Sequence, residues 1–249
     1  MRRTFCSLVL LSLAVSAQAS DVSCNIESDY DLTLNEQSVI LTRASGAPKW
    51  IVIRGDSLFV DDRWVALDSE DRKRIAAFDR GMREVMPLAR EIGRDAADIA
   101  FTALGEVAAG FSRDPAETRT KLDAARRKID ARLARSVSAN RFSGDDLGEG
   151  IGEAVGEVVP MVIGDIVAGA VRAAFSGDTR RLEKMENLDK QIEAQVEPRA
   201  KALEKRADAL CGKMIELDRL DNALAYRLPN GDALDLMRAR PDEQKHIGD

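Results

Sequence analysis

At Asp68 the apolar residues change period, from alternation to helical spacing, and the chain divides there into two kinds of structure. Before it, residues 31–34, 38–42, 50–54, 57–60 and 63–67 form short runs rich in β-branched and aromatic residues. Turn formers separate these runs: Asn35-Glu36, Gly46-Ala47-Pro48, Gly55-Asp56 and Asp61-Asp62. The last pair has the length of a tight hairpin turn, with Leu58-Phe59-Val60 returning as Trp64-Val65-Ala66-Leu67. The alternation predicts a small antiparallel sheet with one solvated face. Trp50 and Trp64 both fall in this stretch, and the lobe's packing is expected to centre on them.

After Asp68 the spacing predicts helices. Asp68, with an acid three residues later, suits a helix start. Ile75, Phe78, Met82, Val85, Met86 and Ile92 mark the buried side of a helix running to about Phe111. Asp114-Pro115 opens a second helix, carried by Leu122, Ala125, Ile129 and Leu133 and ending near residues 138–140. A long charged helical segment covers residues 178–225, opened by Asp178. Its apolar spacing is broken by Asp189, Arg199 and Asp221, and Pro198 marks a kink or a second start. The predicted fold class is α+β, a small N-terminal antiparallel sheet followed by a mainly helical bundle with long C-terminal helices. The boundaries read 20–68 for the β-rich lobe, 69–228 for the bundle and 229–249 for a flexible tail.

Residues 143–177 are the most unusual stretch. Gly148, Gly152, Gly156 and Gly164 fall on a four-residue spacing, with Pro160 at the missing step. Glu149, Glu153, Glu157 and Asp165 repeat that spacing one residue later. Four glycines and a central proline cost a helix roughly 7 kcal/mol relative to alanine. Another helix or an assembly partner is therefore expected to press on the glycine row. The candidate interaction surface comprises Gly148, Gly152, Gly156, Gly164, Val158 and Val162.

The N-terminus has the three parts of a signal peptide. Arg2 and Arg3 precede the apolar residues 5–15, and Ala17-Gln18-Ala19 gives a small-x-small cleavage pattern. Residues 1–19 are thus expected to be removed, leaving a periplasmic protein that starts near Ser20. Cleavage reduces 37 basic residues to 35 against 43 acidic, a net charge of −8. With aromatics at 4 % and the basic residues interleaved with acids, nucleic-acid binding is discounted. Cleavage also leaves two of the three cysteines, Cys24 and Cys211. In an oxidising compartment such a pair reads as a bridge, with two buried free thiols as the alternative.

Catalytic and metal chemistry lacks parts. His246 is the single histidine and lies in the expected tail, which disfavours nucleophilic triads and most zinc sites. Calcium at Asp145-Asp146 and Glu149 lacks the spacing of a known loop. A carboxylate-based hydrolase would draw on Glu149, Glu153 and Glu157, but no aromatic sugar platform accompanies them. No catalytic residue, metal ligand or cofactor is assigned. Membrane spanning by residues 151–175 is also disfavoured: roughly −5 kcal/mol of apolar transfer is met by roughly 2.5–3.5 kcal/mol for each of Glu157 and Asp165. Lying on a membrane surface stays open, as does an envelope protein as partner.

The cleavable signal, Cys24, the hairpin GDSLFVDDRWVALD (residues 55–68), the glycine-bearing apolar helix and Cys211 in the last long helix occur together and in this order. In this organisation the chain resembles the YggN-like family of exported proteins of unknown function. The resemblance implies a periplasmic location and paired cysteines, and supplies no catalytic residue.

Overall fold

The computed structural model describes residues 24–176 and 179–241. The expected signal segment 1–19, the expected cap Asp178 and the last part of the tail, 242–249, lie outside the described residues.

Nine strands and four helices follow one another among the described residues: β1 (Cys24–Glu27), β2 (Asp31–Leu34), β3 (Val39–Thr42), β4 (Trp50–Arg54), β5 (Ser57–Val60), β6 (Arg63–Trp64), α1 (Ser69–Phe111), α2 (Pro115–Ser136), β7 (Val137–Ser138), β8 (Arg141–Ser143), α3 (Gly144–Ser176), α4 (Thr179–Asn222) and β9 (Arg238–Pro241). The fold is α+β, as the change of period predicts. Seven strands form an antiparallel sheet in the order β6-β5-β4-β3-β2-β8-β7, and β1 pairs separately with β9. The Asp61-Asp62 turn takes positive φ at both residues, the geometry that matches a tight hairpin to strand twist.

One face of the sheet is buried. Val39 and Leu41, Ile51 and Ile53, and Leu58 and Val60 alternate inward and meet Ile75, Phe78, Met82 and Val85 of α1. The tryptophans are not in this core, contrary to expectation: Trp50 is 41 % and Trp64 58 % exposed. The reason is register. With Ile51 and Ile53 inward, Trp50 falls on the outer face, and Trp64 is paired with the outward-facing Phe59.

Two further boundaries move. The sheet is not confined to residues 20–68, because β8 adds to β2 and brings β7 with it. Residues 229–241 are not a flexible tail either, since Leu234, Leu236, Met237 and Ala239 are buried and β9 pairs along all of β1. The Cys24–Cys211 disulfide joins β1 to α4 across 187 residues, with Cα atoms 5.7 Å apart.

Two buried carboxylates hold the segment that follows α4. Asp68 caps α1 by accepting N–H bonds from Glu70 and Asp71, at 2.9 and 2.7 Å. The Asp71 carboxylate turns away from that cap and accepts from the Ala225 and Tyr226 amides at 3.0 and 2.9 Å and from Arg74 at 2.7 Å. Burial pulls its pKa up, but these donors outweigh burial and hold it below the ordinary value. Asp221 of α4 accepts from the Leu236 and Met237 amides at 2.7 and 3.1 Å through one oxygen, while its other oxygen is buried without a partner among the described residues. Burial pushes Asp221 up to about 7 despite the two amides.

Candidate functional site

Helix α3 carries every residue of the predicted interaction surface, so its seating decides which of them face a partner. One side docks on the α1–α2 hairpin. Val162 is 2 % exposed and packs with Leu122 and Ala125, while Ala154 is buried in the main core. At the turn between α1 and α2, the Asp165 carboxylate accepts hydrogen bonds from Ser112, from Thr118 at 3.2 Å and from Arg113 at 3.1 Å. Hydrogen bonds from Ser112 and Arg113 outweigh desolvation and lower its pKa. Asp165 is therefore an anchor for α3, whereas Glu149 and Glu153 are exposed.

Helical geometry then sets the opposite side. Residues two apart lie about 200° apart around a helix, so Gly152, Gly156 and Gly164 point away from the hairpin that holds Ala154 and Val162. Nothing lies within 4 Å of where a side chain would begin at Gly148, Gly152, Gly156 or Gly164. The expectation that another helix of this chain presses on the row is corrected: the row is open. Val162 is corrected too, since it belongs to the docked side rather than to the surface. The side chain of Val158 lies outside the described residues, as do those of Asp145, Asp146 and Glu157.

Sequence reasoning missed the glycine that does receive a neighbour. A Cβ at Gly169 would collide with the Phe111 carbonyl oxygen, so at this position the backbones of α3 and the end of α1 are in close approach. It also missed the apolar ridge beside the open row. Val155, Ile163, Val167 and Val171 are exposed on a four-residue spacing with the half-buried Val159 at the missing step, Val167 by 53 %. That spacing was present in the sequence. It was hidden by a helix that is apolar on nearly every side, where period alone does not say which side is covered.

The resulting surface is a ridge of β-branched side chains next to a row of glycines, with Glu149 and Glu153 exposed on the same helix. Such a surface suits close packing with an apolar helix, because side chains seat as ridges in grooves and glycine lets backbones approach. Among the described residues, no group of three His, Cys, Asp or Glu residues is placed to hold a metal ion. No described helix is long and apolar enough to cross a membrane. Residues 24–237 match a family model described as Protein of unknown function (DUF2884). No curated protein and no solved structure matches the chain.

Proposed function

The chain belongs to the DUF2884 family of proteins of unknown function, and from that premise we propose that it is a non-enzymatic periplasmic protein that binds an apolar helix of an envelope protein through the outer face of α3. The observation that carries this reading is the uncovered ridge of Val155, Ile163, Val167 and Val171 beside the open glycine row. An aqueous helix that leaves such a ridge bare is exposing an interaction surface. Glu149 and Glu153 favour a partner with basic residues opposite them and work against an anionic bilayer.

Export is supported by the signal pattern over residues 1–19 and by the Cys24–Cys211 disulfide, a bond that persists in oxidising compartments. The resemblance to the YggN-like exported proteins fits the same reading. Intact mass of the protein recovered from the periplasm is expected to correspond to a start near Ser20.

Site-specific photocrosslinking in the envelope tests the surface. A crosslinker at Val167 is expected to give one discrete protein adduct that Gly156→Leu or Gly164→Leu removes. A crosslinker at the exposed Arg119 of α2 is expected to give none. Equal adducts from both positions would overturn the reading. Binding of the mature protein to neutral liposomes, lost in Ile163→Asp, would assign the ridge to a membrane surface instead.

A further inference from the structure

An apolar recess lies away from α3, at the free end of the sheet. It is a cleft of about 510 Å³ between the β5–β6 hairpin and the segment after α4, lined by Pro48, Val60, Trp64, Val65, Tyr226 and Pro229. Its volume falls within the usual range for ligand pockets, roughly 300–1,000 Å³. Neither proline has an N–H, so those walls offer a ligand apolar surface.

The backbone at this edge has a definite polarity. Arg63 pairs with Val60, and the Val65 amide donates to the Leu58 carbonyl at 2.9 Å. In an antiparallel pair, alternate residues direct their N–H and C=O to opposite sides. The main chain of Trp64 therefore points away from β5, along the outer edge, where no strand follows β6 in the sheet order. Trp64 thus combines an outward-facing donor and acceptor with a ring that is mostly exposed.

The polar side chains around the cleft are largely committed elsewhere. One Asp61 oxygen accepts from the Lys49 and Trp50 amides at 2.7 and 3.2 Å. Asn230 donates to the Asp232 carboxylate at 2.6 Å and accepts the Asp232 amide at 3.1 Å. Arg63, which is exposed, has no ion pair or side-chain hydrogen bond among the described residues. What remains for a ligand is apolar surface, an edge backbone, the Arg63 guanidinium, the second Asp61 oxygen and the Tyr226 hydroxyl, none of these three engaged in a hydrogen bond among the described residues.

We propose that the cleft binds an extended apolar peptide segment of a partner protein, which adds as a strand at the β6 edge, stacks on Trp64 and sets an acidic group against Arg63. Main-chain hydrogen bonds supply affinity in such complexes, and alternate side chains supply specificity. Asp71 holds the Tyr226 wall in place through the Tyr226 amide.

The test is selection of displayed random peptides against the oxidised mature protein, followed by titration of enriched peptides. In a Trp50→Phe background, fluorescence reports on Trp64 alone, since the chain has two tryptophans. Enriched peptides are expected to alternate apolar residues and carry an acid, and to shift the Trp64 emission to the blue. Trp64→Ala is expected to weaken binding by at least about tenfold, as is N-methylation of the peptide amides on one edge only. Circular dichroism unchanged in Trp64→Ala separates loss of binding from loss of fold. The proposal is overturned by no enrichment over an unrelated disulfide-bonded control, or by peptides that bind Trp64→Ala equally well. It is also overturned if N-acetylglucosamine oligomers bind the cleft while peptides do not, or if the enriched peptides repeat a stretch of this chain.

Discussion

Asp71 and Asp221 are both buried and both hold the segment beyond α4, yet pH acts on them in opposite senses. The Asp221 carboxyl is raised from 3.8 to about 7 in the fold, so the folded protein binds more protons than the unfolded chain between those values. Its contribution to stability is full below the unfolded value and is lost as pH rises through the folded one. Chemical denaturation is expected to show stability falling from about pH 4 to about pH 7 by an amount on the order of a few kcal/mol, with Asp221→Asn flattening that slope. Asp71 is lowered instead, so its contribution is present above the ordinary carboxylate range and is lost in stronger acid. Asp71→Ala leaves the Ala225 and Tyr226 amides without their acceptor and is expected to cost about 3 kcal/mol at neutral pH. At this scale the sequence was only half legible. Asp68 was readable as a cap, because capping is local. Asp221 read only as a break in apolar spacing, because its two amide partners come from a segment that packs back from beyond the helix end.

Helix α3 separates what periodicity reveals from what it conceals. Its extent was legible from apolar content, and the four-residue glycine spacing was plain. Which side docks was not, because both sides carry valine and isoleucine and only packing against Leu122 and Ala125 distinguishes them. The contrast between its glycines is measurable. Gly169→Ala is expected to destabilise the protein by about 1–3 kcal/mol, since the added methyl meets the Phe111 backbone rather than a movable side chain. Gly156→Ala meets nothing and is expected to stabilise the helix by roughly 0.8–1 kcal/mol. Thermal denaturation of both variants checks the pair, and equal effects would contradict the seating of α3. The β4 and β5 strands teach the same lesson in another geometry. Their alternation was legible, but the tryptophans were placed by size rather than by parity, and parity puts them on the wet face.

Across the whole molecule, the α+β class and the order of elements were readable from the change of period at Asp68. The closure of the fold was not. β7 and β8 join a sheet whose other strands lie about a hundred residues earlier, and β9 returns to β1 from the far end of the described chain. Short strands of two to four residues carry too little pattern to announce such partners. The disulfide was legible as a pairing of the two cysteines outside the expected signal segment, and the structure makes that bond. Replacing both cysteines by serine is expected to lower stability by up to about 5 kcal/mol, read as a lower denaturation midpoint than that of the oxidised protein.

The paired ends also give the molecule a mechanical character. Cys24 lies opposite Pro241, so a pull on the two described ends first unzips β1 from β9. The covalent link then passes tension straight from Cys24 into Cys211, and the 187-residue interval between them is shielded from the stretch. Only the length from Cys211 to Pro241 is left to pay out. The seven-stranded sheet and the face of α3 thus sit within a loop that feels no force while the sulfur bridge is intact, whereas the Tyr226 wall of the cleft lies outside it.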